Sequence, residues 1–312
     1  MNKVISQATL GIILTLSFVL LESGQFVYFG GLFQRISPLL FGFLVFGTTT
    51  IGLLIWTRWM KPAQWKKAMA EPGLLLAVNL GAVVTFLAYL ISVQLVEPAI
   101  TYTISAGMMP ITAYVLYRMG FREGEAMRNR FETIGNLLIF LSIAYLVFVT
   151  IAGYSGFVRG GQWSAIAGVT LAALDGIFFT LILVYSQRLS KLGIGSSAVL
   201  GLRLPLYVLV SGVIAIGGGT YVGLPPWLDM VGLVVIGILL TIPSLYLLQK
   251  AVPLLSTLTL SALTALGPFA VFGLQLIEGR VDYALGTLAG LVFYSVGAVC
   301  SALGAVRGAT AS

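Results

Sequence analysis

Histidine is absent from the 312 residues, cysteine occurs once, at Cys300, and only 9% of side chains are charged. Each scarcity excludes something. A lone cysteine closes no intramolecular disulfide and builds no cysteine-cluster metal site. Without histidine, the side chain whose charge ordinarily changes near neutral pH is missing. Proton chemistry then falls to carboxylates. Soluble domains are about a quarter charged, so this chain lacks the polar surface needed to face water. Neither a phosphate-cradling G-x-x-x-x-G-K-[ST] run nor an H-E-x-x-H or G-x-S-x-G motif occurs.

Apolar residues are what the chain has instead. They make up 59% of it, and the mean hydropathy is +1.04. They gather in runs too long for buried core helices of a soluble domain, because a bilayer span needs about 20 apolar residues. Ten such segments can be marked, near 6–32, 37–57, 72–93, 98–118, 133–152, 163–186, 196–217, 228–248, 253–277 and 284–305. The first exceeds a signal-peptide core and is not followed by a small-residue cleavage site, so it reads as a retained span. Lys61-Pro62, Glu71-Pro72, Glu97-Pro98, Gly217-Gly218-Gly219 and Pro225-Pro226 punctuate the breaks.

Basic residues orient the spans. With the N-terminus inside, only Arg35, Arg159 and Arg280 fall outside, Arg203 falls within the seventh span, and the other thirteen Lys and Arg fall on the cytoplasmic side. That bias follows the positive-inside rule, and omitting one helix would destroy it. It also explains the net charge of +7 without nucleic acid. Trp56, Trp59, Trp65, Trp163 and Trp227 sit at span ends, where aromatic belts form.

The halves resemble each other. Shifted by 153, LLESGQFVYFGGLFQRIS meets ALDGIFFTLILVYSQRLS, placing Glu22 opposite Asp175 and Phe26 opposite Phe179. Shifted by 155, Glu123-Gly124 meets Glu278-Gly279 and Gly135 meets Gly290. Five helices per repeat is an odd number, so the second repeat enters the membrane from the opposite side. The expected fold is an all-α integral membrane protein of ten transmembrane helices. They form two inverted five-helix repeats, 1–152 and 153–312, with both termini cytoplasmic.

Ten spans in two halves, with Pro253, Pro268, Glu278, Gly290 and Gly297 in the stretch 252–304 and Pro98, Pro110, Glu123 and Gly135 earlier, resemble the EamA-type branch of the drug/metabolite transporter superfamily. The resemblance implies a secondary-active exporter of small metabolites, amino acids or drugs in the cell inner membrane. Glu22 in the first helix is similar to the first-helix glutamate of the small multidrug resistance branch, which implies cation binding and proton exchange there.

The residues themselves support part of that reading. Glu22 and Asp175 are the acids well inside predicted spans. A charge at bilayer depth is costly, so it usually faces a cavity and has a function. Such a carboxylate holds either a proton or a cationic substrate; the alternative is a neutral carboxyl bonded to a neighbouring helix. Arg203 either binds a substrate carboxylate or neutralises Asp175, and pairing is the expectation. Phe26 and Phe179 follow the acids by four residues on the same helix faces, with Phe29 nearby. Thr257, Ser261 and Thr264, and more loosely Thr101, Ser105 and Thr112, form polar stripes. With Asn79, Tyr89 and Tyr102 they either line a pathway or satisfy backbone and neighbouring helices. Pro110 and Pro268 should kink their helices.

The expected function is therefore a proton-coupled exporter of small organic molecules, amino acids, amines or cationic drugs, acting as monomer or homodimer. The partners expected are a small-molecule substrate and the lipid bilayer. No cofactor, metal or nucleic acid is expected. An intramembrane enzyme would need clustered catalytic groups, a channel a repeated filter or charged rings, and an uncoupled facilitator of neutral or zwitterionic metabolites stays open.

Overall fold

The computed structural model describes residues 7–121, 127, 129–217 and 227–310, without the side chains of 227–228, 257–258, 261–262 and 305–310. Glu123, Gly124, Gly218, Gly219, Pro225 and Pro226, used above, and the basic residues Lys3, Arg122 and Arg128 lie outside the described residues.

Among the described residues thirteen helices follow in order: α1 (Gln7–Leu32), α2 (Pro38–Met60), α3 (Pro62–Met69), α4 (Pro72–Leu95), α5 (Pro98–Arg118), α6 (Arg130–Ile151), α7 (Gln162–Lys191), α8 (Ser196–Leu202), α9 (Pro205–Gly217), α10 (Trp227–Ala251), α11 (Thr257–Thr264), α12 (Gly267–Glu278) and α13 (Leu285–Thr310). Among the described residues there is no strand, only one isolated bridge between Val96 and Val158. Proline opens α2, α3, α4 and α5, at the position where a missing N–H costs nothing and the ring's fixed φ suits the helix.

Nine stretches among the described residues are long and apolar enough to cross a membrane, one of them joining α8 and α9 over Ser196–Gly217. The chain is thus an all-helical, multi-pass membrane protein. The expected span over 253–277 is not one continuous helix. It is split into α11 of 8 residues and α12 of 12. Pro268 lies in the first turn of α12 and cannot donate to the Thr264 carbonyl four residues back, so the ladder breaks there. Pro110, by contrast, sits inside a continuous α5.

α5 occupies the centre: 78% of its span is buried, against 33–56% in the other eight. Around it, α4 packs on α7, α1 on α10, α2 on α8 and α9, and α6 on α13. The last contact shows why glycine recurs. A Cβ on Gly135 would stand 2.3 Å from Ser301 N, and one on Gly297 would stand 2.8 Å from Gly135 O. The two backbones touch, which only small residues permit. Ser142 donates to Gly290 O at 2.8 Å, and Asn136 to Ser301 Oγ at 3.3 Å, which locks the pair.

Candidate functional site

A cavity lies in the middle of the bundle. Its walls come from α1 (Glu22, Gln25, Phe26), α2 (Phe46), α4 (Thr85, Phe86, Tyr89), α5 (Tyr102, Ser105, Ala106, Met109), α7 (Asp175, Phe179), α10 (Thr241, Ser244, Leu245) and α11 (Thr264), and they enclose about 600 Å³ of space between atoms. At 1.5 Å per residue, Glu22 and Asp175 stand about 15–24 Å from either end of their helices, which is mid-membrane depth.

The two acids share this cavity and lie close enough for their charges to interact. Each is held from α5. Ser105 Oγ donates to Asp175 Oδ2 at 2.7 Å. Gly176 makes that contact possible, since a Cβ there would stand 2.2 Å from Ser105 O. Glu22 is half-buried and lies within hydrogen-bonding reach of the Tyr102 hydroxyl. The Phe26 ring fills the space beside it, with centroids 4.6 Å from Tyr89 and 4.8 Å, edge-on, from Tyr102.

Tyr102 also reaches the helix break. Its hydroxyl donates to Thr264 O at 3.4 Å, the carbonyl to which Pro268 has no N–H to donate. The ring lies where a side chain on Gly267 would be, about 2.1 Å from a Cβ at that position. One phenol therefore joins the Glu22 carboxyl to the hinge between α11 and α12.

Six of the expected site residues, Glu22, Phe26, Tyr89, Tyr102, Asp175 and Phe179, meet on this cavity. Others do not. Asn79 lies off the wall and repairs a second break. Its Nδ2 donates to Leu202 O at 2.7 Å and its Oδ1 accepts from Leu206 N at 3.1 Å. Those two groups would bond each other in an unbroken helix. The Asn79 amide replaces that rung between α8 and α9, next to Pro205.

Arg203 does not pair with Asp175. It is 1% exposed and donates from Nη1 to Gln249 Oε1 at 3.0 Å. Its Nε and Nη2 have no partner among the described residues. It sits at the break between α8 and α9 rather than on the cavity, so neither expected role holds in this conformation. Phe29 faces away too, packed on Phe33 and Phe41 at 5.5 and 4.8 Å. The side chains of Thr257 and Ser261 lie outside the described residues.

The sequence reading missed Phe46, Thr85, Phe86, Met109, Thr241 and Ser244 on the wall. A signal for some of them existed. Phe86 and Thr241, Tyr89 and Ser244, and Met109 and Thr264 are each 155 residues apart, the offset already marked by the glycines. Extending the pairing from the acids to every segment would have reached them.

Glu97 was read as loop punctuation and is fully buried instead. It bonds Gln275 Nε2, accepts from Thr287 Oγ1 at 2.8 Å and from Gly156 N at 3.0 Å, while Gln275 Oε1 accepts from Ala99 N at 3.1 Å. The knot ties the start of α5 to α12, α13 and the α6–α7 loop, at one end of the bundle. Burial pushes the Glu97 carboxyl above the ordinary glutamate range, against the bonds from Thr287, Gln275 and the Gly156 N–H, which favour its charge.

No family model matches the chain. No curated protein matches it either. Seventeen chains of known structure do match. One crystal structure of a protein is similar over 94% of this chain and 98% of its own, with 17% identity and a TM-score of 0.61. At that identity the likeness concerns the fold alone.

Proposed function

We propose that the chain is a proton-coupled secondary transporter, an exporter of small amine-bearing or cationic organic molecules, of the EamA-type kind within the drug/metabolite transporters, acting in the cell inner membrane. The observation that carries the reading is the pair of acids, Glu22 and Asp175, facing one aromatic-lined cavity at mid-membrane depth. Intramembrane carboxylates on a cavity are costly and are kept for ion or substrate pathways. Rings beside them suit a cation with apolar surface.

Two inverted repeats support alternation between two openings. On this reading α11 and α12 together are the ninth of ten spans, broken at mid-depth as transporter helices often are. Packing follows the repeat: α4 lies on α7 and its counterpart α10 on α1, while α4 lies on α9 and α10 on α2. Of the other major contacts, α5 on α7 is matched by α12 on α1, while α2 with α9, α5 with α12 and α6 with α13 join counterparts to each other.

Tyr102 supplies a coupling route. It has one hydroxyl proton and two acceptors, the Glu22 carboxylate and the Thr264 carbonyl. With Glu22 protonated, the carboxyl donates to the phenol and Tyr102 stays on Thr264. With Glu22 ionised, the phenol is drawn to the carboxylate and the α11–α12 hinge loses its cap. Proton loss and hinge release are thereby linked.

The test is transport in proteoliposomes carrying an imposed pH gradient, with a quaternary ammonium and an alkylamine as probes, for wild type and Glu22→Gln. Proton-driven uptake that Glu22→Gln abolishes is the expected result. Uptake indifferent to both pH gradient and Glu22 would overturn the coupling and leave a facilitator.

A further inference from the structure

Resting on the transporter reading, we infer that the substrate is a short linear diamine carried as a dication, one ammonium on Glu22 and the other on Asp175. The charge balance of the cavity leads there. Two carboxylates front one space, and among the described residues neither Lys nor Arg lines it. A monoamine would neutralise one carboxylate and leave the other charged, or require it to keep a proton. A dication neutralises both. So do two protons, and the two occupants then exchange one for two with no net charge moved.

Spacing selects the length. Glu22 is held by Tyr102 and Asp175 by Ser105. These two α5 residues are three apart and so neighbours on one helix face, about 5–6 Å between Cβ atoms. The two carboxylates share one wall and lie close enough for their charges to interact, so the reach between them is short. Three or four methylenes between nitrogens cover that reach, whereas eight overshoot it. Phe26 and Phe179, each four residues beyond its acid, place an aromatic ring at either end and an apolar wall between. Nothing on this wall offers a cation to a carboxylate group, which sets zwitterions at a disadvantage.

The experiment is calorimetric binding to the purified full chain in detergent at pH 8, using butylamine, 1,3-diaminopropane, 1,4-diaminobutane and 1,8-diaminooctane. The short diamines should bind about tenfold or more tighter than butylamine, and the octane diamine should lose that gain. Asp175→Asn, which keeps the side chain's shape, should bring the short diamines down to the butylamine level. Equal affinity for butylamine and 1,4-diaminobutane in the wild type would overturn the inference, whatever the variant does. In that case the transporter reading survives if both amines still compete with protons, and fails if neither does.

Discussion

The hydroxyl of Tyr102 caps the carbonyl of Thr264, 162 residues away, at 3.4 Å. The bond matters because Pro268 has no N–H to donate to that carbonyl. Tyr102→Phe keeps the ring between Phe26 and Gly267 but removes the hydroxyl that donates to Thr264 O. Losing one such bond costs about 0.5–1.5 kcal/mol, so thermal unfolding in detergent should shift downward accordingly. Amine binding should persist while its competition with protons weakens, because the phenol no longer exchanges between hinge and carboxylate. Full proton competition in Tyr102→Phe would remove Tyr102 from the coupling. Gly267→Ala should be worse than Tyr102→Phe, since its methyl would occupy the space of the tyrosine ring.

Asn79 leads to the opposite separation of effects. Its amide completes the rung between Leu202 and Leu206, and it stands off the cavity. Asn79→Leu removes donor and acceptor together and leaves one buried carbonyl and one buried N–H unpaired. At about 1–3 kcal/mol for each such group, the variant should lose several degrees of thermal stability or more. Amine affinity, measured on the fraction that folds, should stay within about threefold of wild type. A large affinity loss with unchanged stability would make Asn79 a ligand-binding residue after all.

These two residues mark what a sequence can and cannot reveal. The spans were legible because hydropathy and the first-turn prolines act locally. That Glu22, Asp175, Phe26 and Phe179 share one cavity was legible because acids are rare in spans and the 153-residue offset in the sequence pairs them. Asn79 and Arg203 looked like site residues for the same reason, polar groups at bilayer depth. Yet Asn79 repairs the break at Pro205 and Arg203 bonds Gln249 beside it, and which polar group repairs a broken helix depends on what packs against it. Glu97 was hidden for a related reason. Its Glu-Pro pair is an ordinary helix start, and its burial is created by Gln275 and Thr287, far along the chain.

Glu97 also gives the structure a pH dependence of stability with a definite sign. Burial raises its carboxyl above the ordinary range, so the folded protein holds that proton more tightly than the unfolded chain. The resulting stabilisation is present in full below the unfolded value and is lost as pH rises through the folded one. Unfolding temperature in detergent, followed upward in pH from the ordinary glutamate range, should therefore fall. Glu97→Gln carries no titrating group and should flatten that slope. It also turns an amide N–H₂ toward a site supplied by three donors, so its stability at acidic pH should be lower than wild type by about 1–3 kcal/mol. Glu22 and Asp175 titrate in the same molecule, and Glu22→Gln with Asp175→Asn as a background removes their share of the slope. A slope that persists unchanged after Glu97→Gln in that background would assign the pH dependence to another group and leave the Glu97 knot as a purely structural clasp.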